Sequence, residues 1–435
     1  MIAVIEQGII TGTVVAPPSK SVTQRAYAAA LLLRGTTIIH NAGRSDDEEA
    51  ALRVIQQLGA AVTERTERTE HTITIHSNGL SPVAAIIDCG ESGLATRLFT
   101  PIAALGSMPL TITGRASLLR RPMEGFAAIL PALGVTLTGF SGYLPLSMQG
   151  PLKPQYIRVD GSGGSQLISG LLFAFAYSAT APVTIEVTGL TSTPYIDLTL
   201  DMLAHFGRPV KQLYYRRFII DPTLFTHAPT IEINVEADWS SAAYLLVAGA
   251  IAGNVTVSNL NAGSRQADRA ILDVLRAAGA VPEINDQNIT VRYAPLRAFE
   301  FDATHSPDLF PILAILAACC EGESSIRGVH RLFYKESNRV ESITQMLQDF
   351  AVHYSVEDDT LFITGSAHLQ GTVIDSYGDH RIVMAAAIGA LRARGRVDIA
   401  PAQVVNKSYP GFFEDLVKIG GKCGFVEDED NLHDI

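Results

Sequence analysis

The sequence predicts an α/β protein built from six similar units, and three observations support this prediction. A small or polar start followed by an apolar, Ala- and Leu-rich helix recurs six times at a spacing of roughly 70 residues. A second helix follows each one and usually ends at a glycine. Segments rich in β-formers, such as Thr72–His76 and Thr360–Thr364, come after the second helices. Each unit should therefore hold two helices and several strands, with the apolar first helix buried.

The first of these starts has the densest chemistry. Two consecutive prolines end at Pro18 and keep the chain extended, so that Ser19 can cap the helix that follows. Lys20 and Ser21 then lie in the first turn, and Arg25 follows one turn later on the same face. Helix N-termini favour anions, so cations there indicate an anionic ligand. Taken alone, the stretch also fits a capped core helix with two solvated cations.

The other starts and stops follow the same plan. The five other starts are Cys89–Leu94, Gly163–Leu167, Ala237–Ala242, Ser306–Leu309 and Tyr377–Arg381. The glycine stops are Gly59, Gly134, Gly207, Gly279 and Gly420, and the fifth unit has Ala351 instead. Asp46–Leu58 is an amphipathic helix with an acidic first turn, and the polar stretch Glu64–His71 predicts a solvated hairpin edge.

Composition limits the class of protein and its partners. A chain of 435 residues is too long for one core, so we expect two domains. A net charge of −11 argues against nucleic acid as the main partner but not against small anions. The start of the chain predicts no signal peptide, and no uncharged run predicts a membrane span. The four cysteines lack metal-ligand spacing, and we interpret Cys89, Cys319, Cys320 and Cys423 as buried thiols of a cytoplasmic protein.

A domain change fits near Val235–Ala237, where the six units split three and three. Residues 17–235 would then form an N-terminal lobe. Residues 236–435 would form a C-terminal lobe, joined by the strands of residues 1–16. The acidic end after Glu427 is typical of a frayed tail.

Further cations and glycines precede later helices. The loop Gly114–Pro122 has three arginines, and Gly161–Gln166 could present bare N–H groups to an anion, although it lacks the Gly-Lys-Ser/Thr of a P-loop. In the later half we expect cations at the starts of helices, at Lys335, Arg339, Arg381 and Lys407. Asp308 is either a helix cap or a base facing these cations. The histidines are scattered, and no metal or Ser-His-Asp constellation is evident.

Taken in order, these motifs resemble one family, 3-phosphoshikimate 1-carboxyvinyltransferase or EPSP synthase. The residues that carry the resemblance are Ser19-Lys20-Ser21, Arg25, Ser165-Gln166, Ser192, Pro194-Tyr195-Ile196-Asp197, Lys335-Glu336-Ser337-Asn338-Arg339, Asp379-His380-Arg381 and Lys407. The resemblance covers nearly the whole chain. It implies a two-domain inside-out α/β barrel of the enolpyruvyltransferase type, with six βαβαββ units, three per domain, and an active site in the cleft between the domains.

The resemblance also implies an activity and its residues. The enzyme would transfer the enolpyruvyl group of phosphoenolpyruvate to the 5-hydroxyl of shikimate 3-phosphate, in the shikimate pathway of aromatic amino-acid biosynthesis. Shikimate 3-phosphate would be bound by Lys20, Ser21, Arg25, Ser165, Gln166, Ser192, Asp308 and Lys335. Phosphoenolpyruvate would be bound by Lys20, Gly93, Arg121, Gln166, Arg339, Arg381 and Lys407. The candidate catalytic residues are Asp308 as base and Lys20, Glu336 and Lys407 for proton transfer and phosphate departure. No metal or organic cofactor is implied, and a monomer is expected.

The sequence departs from the family pattern at several positions. Glu91, Leu94 and Leu98 replace an asparagine, a threonine and a proline that are common there, and Gly164 replaces a serine. Arg331 falls where an asparagine often contacts the substrate phosphate, and either Arg120 or Arg121 could bind phosphoenolpyruvate.

Two other functions are alternatives. UDP-N-acetylglucosamine enolpyruvyltransferase shares the fold but would have Lys-Asn in place of Lys20-Ser21 and a cysteine in the loop Gly114–Pro122, which has none. A non-catalytic anion-binding repeat protein would need the cations but neither Asp308 nor Glu336.

Overall fold

The computed structural model describes residues 1–67 and 70–427. The chain forms two compact units. We call Pro18–Glu236 the inserted unit. We call Met1–Pro17, together with the chain from Ala237 onward, the flanking unit. Each unit has its own hydrophobic core of buried side chains.

The helices and strands follow one another in a repeated order. The chain begins with β1 (Ile2–Glu6) and β2 (Ile10–Val15) of the flanking unit. The inserted unit contains α1 (Lys20–Leu32), β3 (Arg34–His40), α2 (Asp46–Gln57), β4 (Ala61–Glu67), β5 (Glu70–Asn78), β6 (Ile86–Asp88), α3 (Gly93–Ala103), β7 (Leu110–Thr113), α4 (Gly125–Ile129), β8 (Thr136–Thr138), β9 (Leu146–Gln149), β10 (Ile157–Asp160), α5 (Gln166–Ser178), β11 (Val183–Thr188), α6 (Thr193–His205), β12 (Val210–Leu213), β13 (Arg217–Ile220) and β14 (Thr230–Asn234).

The remainder of the flanking unit repeats this order. Its elements are α7 (Trp239–Ala252), β15 (Gly253–Ser258), α8 (Ile271–Ala277), β16 (Glu283–Asn285), β17 (Asn288–Arg292), β18 (Glu300–Asp302), α9 (Phe310–Ala318), β19 (Glu323–Arg327), α10 (Arg339–Asp349), β20 (His353–Glu357), β21 (Thr360–Thr364), β22 (Leu369–Gln370), β23 (Val373–Asp375), α11 (His380–Ala390), β24 (Ala393–Arg394), β25 (Val397–Ala400), α12 (Phe412–Lys418) and β26 (Lys422–Val426).

The sheets show why the units look alike. In β6-β7-β9-β8 the first two strands are parallel and the others antiparallel, and β10-β11-β13-β12 and β18-β19-β21-β20 repeat this order. A parallel pair needs a crossover, which the apolar first helix supplies, whereas a hairpin closes the antiparallel pair. The predicted α/β fold of six βαβαββ units is confirmed.

Three of the sheets are completed by distant strands. In the inserted unit, β14 pairs in parallel with β3, more than 190 residues earlier, with Asn234 opposite His40. In the flanking unit, β2 pairs in parallel with β15. The first strand, β1, lies between β25 and β26 and is antiparallel to both. The inserted unit therefore interrupts the flanking unit between β2 and α7, which accounts for the two chain crossings near residues 17 and 236.

The first helix of each pair lies in the core. In α7, α9 and α11 every residue is buried, and most residues of α1, α3 and α5 are buried as well. Such helices are rich in alanine and glycine because small side chains let neighbouring backbones approach closely. Their polar first turns are therefore held at the ends of packed helices, which gives the candidate site side chains fixed positions.

Several local predictions can be compared with the structure. All five glycine stops have positive φ, as a helix-ending residue requires. Ala351 adopts the same conformation, with φ of 59°, so the fifth unit keeps the stop without glycine. The predicted polar hairpin Glu64–His71 spans β4 and β5, but residues 68 and 69 lie outside the described residues, as does the acidic tail from residue 428.

Three placements were wrong. Lys407 ends a 3-10 helix, Gln403–Lys407, and does not begin an α-helix. Lys335 lies in the loop before α10, whose first residue is Arg339, so of these two cations Arg339 is the one at a helix start. Cys319 and Cys423 are only half-buried, although all four thiols were expected to be buried. For the two lysines the α-helix begins a few residues after the predicted position, at Arg339 and at Phe412, because side-chain pattern alone does not define the ends of a helix.

No helix among residues 1–67 and 70–427 is long and apolar enough to cross a membrane.

Candidate active site

In the inserted unit, the starts of three helices are tied together. Ser19 occupies the N-cap position of α1, but its side chain does not cap the helix. The ammonium of Lys20 donates to Oδ2 of Asp47, in the first turn of α2, at 2.8 Å. Gln24 donates to the Asp47 carbonyl at 3.4 Å and to the hydroxyl of Ser92, which caps α3, at 3.3 Å. The Lys20 ammonium is therefore held in place beside the start of α2, and Gln24 connects α1 to the start of α3.

Arg25 is a buried cation whose hydrogen-bond acceptors, among the described residues, are all neutral. Its side chain donates to the Thr199 hydroxyl at 2.9 Å, the Ser21 carbonyl at 2.8 Å and the Tyr195 carbonyl at 3.1 Å. It is 1% exposed, and burial lowers its pKa to about 10. A buried guanidinium without a carboxylate beside it has an unfavourable free energy that a bound anion would relieve.

Arg121 and Gly93 form a second cationic position. Gly93 is the first residue of α3, and a Cβ placed there would lie 2.6 Å from Nη1 of Arg121. Arg121 is buried, whereas Arg120 is exposed. The glycine is needed here because the guanidinium lies directly against the backbone.

Arg97, for which the sequence suggested no role, connects this position to α5. It donates to the Gly93 carbonyl at 3.3 Å, to Oε1 of Gln166 at 3.4 Å and to the Pro122 carbonyl at 3.2 Å. Gln166 begins α5, and Ser165 is its buried N-cap residue. The predicted residues Gly93 and Gln166 are therefore brought together by a third residue, 69 positions before Gln166.

Ser192 completes the predicted residues of the inserted unit. It is buried at the N-cap of α6 with φ of 57°, a left-handed conformation that is uncommon for serine. Tyr195 follows in the first turn, and its ring lies 6.0 Å from the Arg25 guanidinium carbon. α6 therefore contributes to Arg25 both a backbone carbonyl and an aromatic face.

In the flanking unit, one carboxylate gathers three cations. Oδ1 of Asp308 accepts from Nη1 of Arg339 at 2.8 Å and from the Lys335 ammonium at 3.4 Å. Its Oδ2 accepts from Nη2 of Arg381 at 3.0 Å. Asp308 lies in a 3-10 turn, Pro307–Leu309, that leads directly into the buried helix α9. The predicted residues Asp308, Lys335, Arg339 and Arg381 thus form one cluster, which we call the Asp308 cluster together with Glu336 and Asp379.

Arg339 is the centre of this cluster. It is 0% exposed and donates through Nε to Asp379 at 2.7 Å and through Nη2 to Glu336 at 2.6 Å, in addition to its bond to Asp308. Asp379 also caps α11, by accepting from the backbone N–H of Arg381 at 3.0 Å. Burial alone would lower the pKa of Arg339, but the three carboxylates outweigh it and raise that pKa.

The cations control the acidity of Asp308. Burial acts to raise the pKa of this carboxyl, but Arg381, Lys335 and Arg339 oppose it and hold the pKa well below its usual range. Burial lowers the pKa of the Lys335 ammonium, against the effect of Asp308. Asp308 is therefore ionised at neutral pH, and its basicity depends on how closely the cations remain around it.

Three other residues of interest, Lys407, Arg331 and Asp268, belong to the flanking unit. Lys407 is buried at the end of its 3-10 helix. Burial lowers the pKa of Arg331, while the nearby Asp308 raises it, which places this departure from the family pattern within electrostatic reach of the cluster. Asp268, for which the sequence predicted no role, is fully buried and interacts electrostatically with both Asp308 and Arg381.

Comparisons with known proteins agree on one family. A sequence model of EPSP synthase (3-phosphoshikimate 1-carboxyvinyltransferase) matches residues 5–416. The chain belongs to the EPSP synthase family. A 3-phosphoshikimate 1-carboxyvinyltransferase from Methanocorpusculum labreanum is 34% identical over 420 residues, which are 96% of this chain and 98% of that protein. One from Clostridium kluyveri is 35% identical over 414 residues, or 95% and 96% of the two chains.

A solved structure supports the same assignment. EPSP synthase from Acinetobacter baumannii superposes with a TM-score of 0.80 at 26% identity, covering 98% of this chain and 99% of that one. The resemblance drawn from the sequence motifs is therefore confirmed. Family membership makes the chain a transferase of the shikimate pathway, and members of the EPSP synthase family bind shikimate 3-phosphate and phosphoenolpyruvate.

Among residues 1–67 and 70–427, no group of three or more histidine, cysteine, aspartate or glutamate side chains is arranged to hold a metal ion.

Proposed function

We propose that this chain transfers the enolpyruvyl group of phosphoenolpyruvate to the 5-hydroxyl of shikimate 3-phosphate, releasing 5-enolpyruvylshikimate 3-phosphate and phosphate. The observation that carries the proposal is the Asp308 cluster in a chain of the EPSP synthase family: one carboxylate is held by Lys335, Arg339 and Arg381. In this reaction a hydroxyl of one anionic substrate must lose a proton beside a second anionic substrate. A base surrounded by cations suits such a step.

The substrates carry two phosphates and two carboxylates, so their binding requires several cations. We assign shikimate 3-phosphate to the Arg25 region of the inserted unit, where the buried guanidinium has only neutral acceptors. The assigned residues are Lys20, Ser21, Arg25, Ser165, Gln166 and Ser192, with Asp308 and Lys335 from the flanking unit. For phosphoenolpyruvate we assign Lys20, Gly93, Arg121, Gln166, Arg339, Arg381 and Lys407.

The reaction proceeds by addition and then elimination. The 5-hydroxyl oxygen attacks C2 of phosphoenolpyruvate while C3 takes a proton, which gives a tetrahedral adduct. Loss of a proton from C3 then re-forms the double bond as phosphate leaves from C2. Each step needs a proton to move and negative charge to be stabilised, so acid–base groups and cations have to be close together.

We assign Asp308 as the base for the 5-hydroxyl. Its three cations keep the pKa of Asp308 low, which makes it a weak base. Substrate phosphate and carboxylate groups compete for the same guanidinium and ammonium groups. As the cations turn to the substrate anions, the carboxylate of Asp308 becomes a stronger base, at the moment when the hydroxyl is in place.

Proton transfer at C3 and departure of phosphate are assigned to Lys20, Glu336 and Lys407. Lys20 donates to Asp47 and Glu336 accepts from Arg339, so two of these groups are held by ion pairs. A fixed direction is what a proton donor needs, because transfer requires hydrogen-bond geometry. We further propose a monomer in the cytoplasm without metal or organic cofactor, and the free thiols of all four cysteines suit a reducing compartment.

The test is release of phosphate from phosphoenolpyruvate with two alternative acceptors, shikimate 3-phosphate and UDP-N-acetylglucosamine. We expect release with the shikimate ester alone. Release with the sugar nucleotide, or with neither acceptor, would overturn the proposal. Because phosphate appears only if the enolpyruvyl group is transferred or phosphoenolpyruvate is hydrolysed, a control without acceptor separates these two reactions.

A further inference from the structure

Thr199 is a fully buried residue of α6 whose hydroxyl takes part in three hydrogen bonds. Nε of Arg25 donates to the Thr199 hydroxyl oxygen at 2.9 Å, and the hydroxyl oxygen of Ser169, on α5, lies 2.7 Å from the same atom. The Thr199 hydroxyl in turn donates to the Tyr195 carbonyl, one turn earlier in α6, at 3.0 Å. One small side chain therefore connects α1, α5 and α6.

The chemistry of the partners determines the direction of these bonds. A hydroxyl has one proton and two lone pairs. The Arg25 guanidinium can only donate and the Tyr195 carbonyl can only accept, so the single proton of Thr199 points to the carbonyl. Ser169, which is also fully buried, must then donate to Thr199. Both lone pairs and the proton of Thr199 are used in this arrangement, and one lone pair is held towards Arg25.

The hydrogen bonds of Arg25 leave part of its guanidinium for a ligand. A guanidinium has five N–H groups in one plane. Among the described residues, three of them have acceptors: Nε donates to Thr199, Nη1 to the Ser21 carbonyl and Nη2 to the Tyr195 carbonyl. Within this set of contacts, one N–H group remains on each of the two terminal nitrogens. Such a pair is what bidentate recognition of a carboxylate or phosphate uses.

We propose that Thr199 is a positioning residue for Arg25, whose hydroxyl orients the guanidinium so that the remaining N–H groups of Nη1 and Nη2 are presented together to an anionic group of shikimate 3-phosphate. Of the three acceptors of Arg25, Thr199 is the one side chain, since the other two are backbone carbonyls. Thr199 is fully buried, so it acts through Arg25. The inference rests on the proposed function, which assigns Arg25 to shikimate 3-phosphate.

Loss of the hydroxyl should weaken binding by a defined route. The buried Nε–H of Arg25 would then lack its acceptor, which is unfavourable. We expect the guanidinium to turn towards the remaining carbonyls and to use an N–H group that the ligand requires. The variant T199V keeps the shape of threonine without the hydroxyl, whereas T199S keeps the hydroxyl and loses a methyl group. The two variants therefore separate the hydrogen bond from the packing of the side chain.

The experiment is calorimetric titration of shikimate 3-phosphate into the full-length protein without phosphoenolpyruvate, so that no turnover can occur. We expect the Kd of T199V to be about tenfold higher than that of the unmodified protein, and the Kd of T199S to stay within about twofold. In steady-state assays the KM of T199V for shikimate 3-phosphate should rise while kcat stays within about threefold, since a binding contact is impaired and the acid–base groups are not.

The matched control is Thr100 in α3. It is fully buried, and its hydroxyl donates at 2.7 Å to the carbonyl of Thr96, four residues earlier, just as Thr199 donates to Tyr195. T100V therefore removes a buried helical hydroxyl that is bonded to its own helix and not to Arg25. Urea unfolding should show a similar loss of stability for T100V and T199V, whereas T100V should leave the Kd for shikimate 3-phosphate unchanged.

A double-mutant cycle tests whether Thr199 acts through Arg25. In the R25M background, T199V should cause no further loss of affinity, because the group that it orients is absent. An equal loss in both backgrounds would overturn the inference. If R25M binds too weakly for titration, the comparison of T199V with T199S decides the question.

The other outcomes separate the inference from the function on which it rests. If T199V binds shikimate 3-phosphate as tightly as T100V, or T199S binds as weakly as T199V, the role of the Thr199 hydroxyl is overturned, and phosphate release by the unmodified protein still supports the proposed function. If T199V does not fold, T199A takes its place in the same comparison. Failure of the unmodified protein to bind shikimate 3-phosphate overturns both.

Discussion

The two units of this chain hold buried arginines in opposite ways. Arg25 of the inserted unit has a hydroxyl and two carbonyls as acceptors, and burial lowers its pKa to about 10. Arg339 of the flanking unit is equally buried but contacts three carboxylates, which raise its pKa despite burial. Among the described residues, the arginine of the inserted unit thus has neutral acceptors, whereas the arginine of the flanking unit is surrounded by three carboxylates.

The difference indicates how each unit responds to an anion. In the Arg25 region the positive charge of the guanidinium is met by neutral acceptors, so a bound anion would compensate it without breaking an ion pair of Arg25. In the Asp308 cluster three cations are matched by three carboxylates, so an anion can bind there only if existing ion pairs lengthen or a carboxylate takes up a proton. Recognition should therefore depend more on the inserted unit and chemistry more on the flanking unit.

The largest effect should come from removing the central carboxylate of the flanking unit. For D308N we expect kcat to fall about a thousandfold, because the base is lost. Binding of phosphoenolpyruvate should hold or tighten, since Lys335, Arg339 and Arg381 lose a competing anion. Phosphate release and calorimetric titration measure these two quantities.

The matched control is D302N, an exposed aspartate six residues earlier, which should keep normal turnover. Turnover of D308N within tenfold of the unmodified protein would show that Asp308 is not the base.

The second effect concerns stability and compares the two arginines directly. R339M leaves Asp379, Glu336 and Asp308 buried or half-buried without their shared cation, and should lower the free energy of unfolding by about 3–5 kcal/mol. R25M removes a buried cation without stranding a carboxylate, so the change should stay within about 1 kcal/mol.

Urea unfolding followed by circular dichroism measures both variants, and fluorescence of Trp239, the single tryptophan, reports on the flanking unit. Equal destabilisation by the two variants would contradict the contrast drawn between the units. R25M should in addition lose affinity for shikimate 3-phosphate.

The third effect tests Asp268, a fully buried carboxylate of the flanking unit, through the dependence of stability on pH. The folded-state pKa of Asp268 is about 7, above its ordinary 3.8, so the folded chain holds this proton more tightly than the unfolded chain. Its contribution to stability is full at low pH and is lost as the pH rises towards 7. Between pH 5 and 8 the free energy of unfolding of the unmodified protein should fall by about 2–3 kcal/mol relative to D268N. A difference that does not change with pH would mean that Asp268 is ionised throughout.

The smallest effect concerns the glycine at the start of α3. In G93A the new Cβ must displace the Arg121 guanidinium, which lies at the end of a flexible side chain. We expect the KM for phosphoenolpyruvate to rise about tenfold with little change in unfolding, since a small displacement of a binding group is costly for activity. G8A, where a Cβ meets no atom within 4 Å, is the control. An unchanged KM would remove Arg121 from the proposed binding residues.

The sequence allowed the repeated architecture to be predicted because its signals are local. Apolar first helices, glycine stops and following β-rich segments each depend on a few adjacent residues, and Ala351 shows that even the exception keeps the same backbone conformation. The family could also be predicted from the sequence, since its motifs are short and occur in a fixed order.

The residues that support the site could not be predicted from such local signals. Arg97 meets Gln166 across 69 positions and Lys20 meets Asp47 across 27, so their pairing depends on how the helices pack. The choice between Arg120 and Arg121 depends on which side chain the fold buries. Asp268 stands out only through its complete burial, which no local pattern reveals.

The place of β1 between β25 and β26 has a consequence for how the chain is made. During synthesis the inserted unit can assemble all of its sheets as soon as β14 has emerged, because each of its strands lies within residues 34–234. The first strand to leave the ribosome must instead wait for partners that end at Val426. At ordinary rates of translation, synthesis from β1 to Val426 takes roughly 20–85 seconds. During this time β1 remains an unpaired strand, while the inserted unit is already complete.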